Sequence, residues 1–347
     1  MAGVSFQSRK LNMSSHARSR PRLAIVLGDP SGIGPEIAVR ALSELKLWER
    51  ADITLVGGRR ELDAAIDIAS KAGCVVDPGA LQSLAFVEHG EDLPSIPQGE
   101  PSAAAGRYAL ASLSAAIELA KQNKVDGLCF APLNKTSLHL AGMTQPDELR
   151  WFAEKLNVTD PVSELNALEA LWTVRVTSHV PHKDVARLLT PEGVADAVGV
   201  LYESLRRVGF EKPRIAVAGL NPHAGENGNF GSEEIDIIAP GIALAKARGL
   251  IADGPYPADT VFVRAKNGAF DGVVTMYHDQ GQIAIKLLGF DRGVTVAGGL
   301  PISITTPAHG TAYDLVGSGR ANTGAMRRAL DVACLLSNKA QQETAAN

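Results

Sequence analysis

The stretch RLAIVLGDPSGIGPEIAVRAL (residues 22–42) decides the fold class. Arg22 to Leu27 is a short apolar run closed by Gly-Asp-Pro, the pattern of a buried strand entering a loop. Pro35 then opens a helix through Ile37, Val39, Ala41 and Leu42, because the N–H that proline lacks is not needed in a first helical turn. The same unit recurs at Asp52 to Val56, followed by Gly57-Gly58 and a helix through Leu62, Ala65 and Ile68. A long Ala/Leu helix is predicted over residues 103–122 and the next strand over Val125 to Phe130. Leu171 to Val176, Arg214 to Ala218 and Gly272 to Thr275 are further apolar runs that end in polar loops. Strands alternating with helices predict an α/β protein with a mostly parallel sheet covered on its faces. In such sheets ligands bind beyond the carboxyl ends of the strands.

Composition narrows the function classes. A chain of 347 residues that is 45% hydrophobic can bury a large core, and two domains fit that length better than one. A formal charge of -4 and a pI near 6.1, with no basic stripe interleaved with aromatics, argue against nucleic acid as a partner. No apolar run approaches the roughly 18–20 residues that span a bilayer, so no membrane partner is expected. Cys74, Cys129 and Cys334 are odd in number and widely spaced, as reduced thiols of a cytoplasmic protein would be. Residues 1–20 are basic and Ser-rich without the apolar centre of a secretory signal, and are expected to be a disordered tail.

Three histidines stand out by context: His179 in TSHVPH, His223 in GLNPHAGENG and His278 in MYHDQGQ. Each lies in a loop just after a predicted strand end and beside polar or acidic residues. Any one alone would ordinarily be a surface or core residue. Together they suggest a metal site assembled from distant segments, in which three neutral imidazoles leave a coordination position open for substrate. No G-x-G-x-x-G follows a strand here, so the ordinary dinucleotide fingerprint is missing. GDPSGIGPE leads into a helix N-terminus, which favours anions but is a common feature.

Read together, GDPSGIGPEI (28–37), APLNKTSL (131–138), TSHVP (177–181), GLNPHAGENGNFGSEE (219–234), YPADTVF (256–262), MYHDQGQIAIKLLGF (276–290) and GLPISITTPAHGTAYDLVGSGRAN (299–322) closely resemble the 4-hydroxythreonine-4-phosphate dehydrogenase family. The resemblance runs from about residue 22 to residue 338. It implies an isocitrate/isopropylmalate dehydrogenase-like fold, with two α/β domains and a cleft between them. Residues 21–143 plus 305–347 would form the nucleotide side, and 144–304 the metal-binding and dimerisation domain. It also implies a homodimer with a shared active site that oxidises a secondary alcohol with NAD, NADP being the alternative. The second requirement is a divalent metal, with zinc favoured. His179, His223 and His278 fall on the family's metal ligands, with His278 reaching in from the partner subunit. HGTAYDLVGSGRAN resembles the nucleotide loop of decarboxylating dehydrogenases, which places His309, Gly310, Thr311, Asp314 and Asn322 beside the cofactor.

The remaining site residues follow from chemistry and motif position. Lys286 lies four residues after Gln282, so both share a face if this segment is helical, and the cation can bind a carboxylate or pass a proton. Asp259 and Asp279 suit orientation of an imidazole or general-base work, and complete the catalytic candidates with Lys286. Asn134 and Lys135, at a strand end, are expected to line the cleft with Gln282 and Thr295.

Departures from the family pattern bear on the substrate. Where the family has Gly-His-Thr-Glu, this chain has Asp147, Glu148, Leu149 and Arg150. Ile304 replaces a family Arg and Thr295 a family Asn. Phosphate rewards a bidentate Arg strongly, so these changes suggest an unphosphorylated β-hydroxy acid, with Arg150 as a new carboxylate contact. The cis-dihydrodiol of terephthalate, oxidised by a relative in this superfamily, is an example, and decarboxylation after oxidation is an open option. The alternative keeps the family substrate and a place in vitamin B6 biosynthesis. A third reading, of another class, is a non-catalytic relative that binds a metal or small acid.

Overall fold

The computed structural model describes residues 20–89, 96–168, 171–289 and 292–345. Apart from Arg20, the expected tail lies outside the described residues. Among those described, the strands are β1 (Arg22–Val26), β2 (Asp52–Gly57), β3 (Ala85–Glu88), β4 (Gly127–Phe130), β5 (Ser163–Leu168), β6 (Leu171–Arg175), β7 (Ile215–Ala218), β8 (Ala252–Tyr256), β9 (Gly272–Thr275), β10 (Val294–Gly298) and β11 (Ser303–Pro307). The helices are α1 (Gly34–Leu45), α2 (Arg59–Lys71), α3 (Pro78–Ser83), α4 (Ala103–Lys121), α5 (Lys135–Leu140) and α6 (Glu148–Lys155) in the first half. The second half contributes α7 (Val185–Leu188), α8 (Pro191–Arg207), α9 (Ala239–Ala247), α10 (Ala258–Lys266), α11 (His278–Gly289) and α12 (Gly324–Ala345). The segment Arg22 to Leu42 is the strand, loop and helix its sequence predicts, with Pro35 in the first turn of α1.

All eleven strands join one sheet in the order β3-β2-β1-β4-β11-β10-β5-β6-β9-β7-β8. The pairings are parallel except around β10, which runs antiparallel to both β11 and β5, and between β5 and β6. The sequence reading had no strand at β5, β10 or β11. Their mixed sequences, SELNAL, VTVAG and SITTP, lack a purely apolar run because one face looks into a cavity.

Period-two alternation explains why β1 reads as continuously apolar. Leu23 and Ile25 enter a core with α1 and α12, while Ala24 and Val26 pack on the other face against Ala109, Leu113 and Ile117 of α4. The helices are set by ordinary caps: Ser102, Asn134, Asp147 and Thr190 each accept a backbone N–H at the start of α4, α5, α6 and α8. Gly28, at φ +84°, brings its loop so close to Ala131 that an added Cβ would lie 2.7 Å from that carbonyl oxygen. The end of β1 is thereby held against the end of β4.

Candidate active site

One face of four adjacent strands forms the floor of a cavity of about 340 Å³. Phe130 of β4, Ile304 and Thr306 of β11, Thr295 and Ala297 of β10, and Glu164 and Asn166 of β5 all face it. The register sets Thr306, Thr295 and Asn166 side by side across three strands. Lys135, Glu148 and Phe152 form one wall, and His278, Gln282 and Lys286 the other. His309 and Gly310 close the end nearest the C-terminal loop. Gln282 and Lys286 do share a helix face, since α11 begins at His278. Two lysines on opposite walls suit a substrate that is anionic at more than one point. Glu148 also faces the cavity, and burial pushes its carboxyl above the usual range while Lys135 opposes that shift.

The histidines occupy the ends of strands, as loops beyond carboxyl ends should. The His179 and His278 rings lie 5.6 Å apart, centre to centre, within one chain. Burial pulls His179 below its ordinary pKa, which keeps the imidazole neutral as a metal ligand requires. His278 Nδ1 is 2.6 Å from Asp279 Oδ1, leaving Nε2 for a metal, and the same bond holds the Asp279 carboxyl below its usual range. This donor pair fits a divalent ion. His223 stands elsewhere, with its ring 6.0 Å from that of Phe230. Among the described residues of one chain, no three His, Cys, Asp or Glu side chains are grouped to hold a metal. His278, implied to come from the partner, is thus the ring beside His179, and His223 is the one set apart.

Backbone strain marks both loops. His179 has φ +54°, and residues 223–228 all have positive φ, including His223, Ala224, Glu226 and Asn227. Left-handed backbone costs a non-glycine residue roughly 1 kcal/mol or more, so such a run needs external support. Buried Glu234 supplies it, accepting the Leu220 and Asn221 backbone N–H groups at 2.7 Å each.

The two Gly-rich motifs meet each other. Ile33 N–H donates to the Thr311 carbonyl at 3.0 Å, and a Cβ on Gly32 would lie 2.7 Å from Thr311 Cβ. Buried Glu36 accepts the N–H groups of Gly317 and Gly319, and Arg40 donates to the carbonyls of Gly319 and Ala321. Tyr313 donates to Asp29 at 3.2 Å. Asn322 caps the start of α12 through Gly324 N–H, while Asp314 is exposed. His309 Nε2 is buried without a hydrogen-bond partner, an unmet polar atom at the cavity end where a nucleotide would bind.

Other predicted residues sit away from the cavity. Asn134 caps α5 through Ser137 N–H at 2.9 Å, leaving its neighbour Lys135 as the lining residue. Arg150 is exposed, and its guanidinium binds the buried Asp147 carboxylate at 2.6 Å. Asp259 is exposed in the first turn of α10. Sequence reading missed Glu164, Asn166 and Arg175. Their signal was faint: Glu164 and Asn166 alternate with Leu165 and Ala167 in β5, and Arg175 ends the buried run of β6.

Comparison with known proteins places this geometry. The family model for "Pyridoxal phosphate biosynthetic protein PdxA" matches residues 44–333. A Pseudomonas aeruginosa protein provisionally named 4-hydroxythreonine-4-phosphate dehydrogenase 2 is 50% identical over 92% of this chain and 98% of its own length. An Oceanobacillus iheyensis protein provisionally named D-threonate 4-phosphate dehydrogenase is 38% identical over 90% of this chain and 96% of its own. The crystal structure of 4-hydroxythreonine-4-phosphate dehydrogenase from Klebsiella pneumoniae is 35% identical, covers 93% of this chain and 100% of that one, and has a TM-score of 0.81. A terephthalate 1,2-cis-dihydrodiol dehydrogenase from Burkholderia xenovorans is more distant, at 28% identity and a TM-score of 0.64, over 91% of this chain and 98% of its own. The expected unphosphorylated dihydrodiol therefore finds no support, and the alternative drawn from the family substrate is the better one. The α/β fold is that of the solved 4-hydroxythreonine-4-phosphate dehydrogenase, and the chain belongs to the PdxA family as a dehydrogenase of alcohol donors.

Proposed function

We propose that this protein oxidises the secondary alcohol of a short, phosphorylated β-hydroxy acid, with NAD or NADP as hydride acceptor and a bound divalent metal. The observation that carries this reading is the convergence of Lys135, Lys286, His278 and His309 on one cavity. The lysines offer two anchors for an anionic substrate, in place of the Arg that Ile304 replaces. His278 belongs to the metal end and His309 to the cofactor end, so the reacting carbon lies between them. A divalent metal there, zinc being favoured, would be held by His179 and His278 together with a third imidazole and would supply acidification of the substrate alcohol. Asp279 orients His278, and Lys286 is placed to bind the carboxylate or to hand on a proton. The relatives named above act, by name, on 4-hydroxythreonine 4-phosphate and D-threonate 4-phosphate, which share this chemistry.

The proposal includes a homodimer and a two-domain division. His179 and His278 are paired in one chain, so the third ligand, His223, would come from the partner subunit. Ile283 and Leu287 support this, because they lie four residues apart on α11, 60% and 82% exposed beside the metal end. Strands from residues 21–143 plus 305–347 occupy one end of the sheet, and those from 144–304 the other, with β11 on the seam. The cavity lies over that seam. A spectrophotometric screen for reduced cofactor, with phosphorylated and unphosphorylated hydroxy acids and with added zinc, cobalt or manganese, tests the reading. Turnover confined to the phosphorylated acids and abolished by a chelator is expected. Faster turnover of unphosphorylated acids would overturn it.

A further inference from the structure

The cavity face of β5 is chemically unusual. Leu165 and Ala167 point into the apolar core, while their neighbours Glu164 and Asn166 line the cavity. Behind them Arg175, at the end of β6 and 5% exposed, donates from Nε to Ser178 Oγ at 2.8 Å. It also donates from Nη1 to Asn166 Oδ1 at 3.2 Å and from Nη2 to Glu164. A buried ion pair is often no more stabilising than apolar residues of the same volume. The network therefore calls for a use other than stability.

Its effect is to fix one amide. A guanidinium can only donate, so the oxygen of Asn166 must face Arg175. The same oxygen accepts from Gln282 Nε2 at 2.7 Å. The Asn166 NH2 is left as the group a ligand would meet. Gln282 follows His278 by about one turn of α11, which puts this NH2 toward the His278 end of the cavity. An NH2 needs a lone pair opposite it. A hydroxyl has one and an ammonium does not. Glu164 is already paired with Arg175, and burial raises the carboxyl of Glu148, which stands on the same wall as Lys135.

We propose that Asn166, oriented by Arg175, determines specificity by selecting a substrate with a hydroxyl rather than an ammonium on the carbon beside its carboxylate. Asn166 would touch the substrate, and Arg175 is a positioning residue. The proposal rests on the reading of this cavity as the site for a phosphorylated hydroxy acid. It is tested with the full-length protein by comparing kcat/KM for D-threonate 4-phosphate and 4-hydroxythreonine 4-phosphate, which differ in that group. The wild type should favour the hydroxy acid by about tenfold or more. Asn166→Asp is isosteric, still satisfies Arg175, and exchanges the donor for an acceptor. It should erase or reverse the preference with bound metal unchanged. Arg175→Met should erase it mainly through KM, and Arg175→Lys should restore part of it. An unchanged ratio in Asn166→Asp and Arg175→Met, or a wild type that prefers the amino acid, overturns the proposal while leaving the functional reading intact. A wild type that turns over neither phosphate takes down both.

Discussion

The loop pair at residues 28–36 and 309–324 and the three histidine loops are built on opposite principles. The first pair is finished within the chain: Glu36, Arg40 and Thr311 bind their opposing backbone directly, and Gly32 allows close contact. The histidine loops hold strained residues at His179 and His223, and the two strained positions do not come together. On the proposed reading, with the cofactor end preformed and the metal end unfinished, assembly of two chains rather than folding of one would complete the site. The contrast tells where substitutions should cost stability and where they should cost only activity.

The largest effect should come at the metal end. His179→Ala, His223→Ala and His278→Ala should each lower kcat/KM by roughly a thousandfold or more and release the metal, with little change in melting temperature. The contrast is sharpest in mixtures. If His179 and His278 serve one site and the partner's copy of His223 completes it, then co-refolding His223→Ala with His278→Ala rebuilds one good site per mixed dimer. Activity should return to about a quarter of wild type for random pairing. Mixing His179→Ala with His278→Ala should restore nothing. Equal behaviour of the two mixtures would show that the three rings are not divided in this way.

The cofactor end should respond in the opposite manner. Glu36→Ala leaves the buried Gly319 N–H and the part-buried Gly317 N–H without a partner, so it should cost about 1–3 kcal/mol of unfolding free energy in urea. It should also raise the KM for the nucleotide while bound metal stays constant. A variant as stable as wild type would mean that the loop pair is not held by this carboxylate.

Much of this was legible in the sequence because the signals were local. The apolar run and Gly-Asp-Pro of residues 22–30 specify a buried strand and its exit. Pro35 marks the helix start, and the three histidines announce themselves by their Gly/Pro-rich surroundings. Strands β5, β10 and β11 were not legible, since a strand with one face on a polar cavity loses the apolar pattern that identifies it. Arg150 read as a candidate ligand because sequence could not show that Asp147, three residues before it, takes its charge. The same holds for Asn134, whose side chain caps a helix. Arg175, Asn166 and Glu164 matter through contacts across strands, and only the register reveals them.

The smallest effect lies on the wall between the two regions. Burial raises the Glu148 carboxyl above its unfolded value, so the folded protein holds that proton more tightly than the unfolded chain. Below the ordinary carboxylate range the side chain is protonated in both states and contributes no difference. As pH rises from the unfolded value through the folded one, ionisation is easier in the unfolded chain, and stability falls. Glu148→Gln mimics the protonated form at every pH. It should match wild type in urea near pH 4 and exceed it slightly at pH 8, by less than about 1 kcal/mol. A difference that is the same at both pH values would show that Lys135 balances the burial, and a variant less stable than wild type only at pH 8 would show that Lys135 outweighs it.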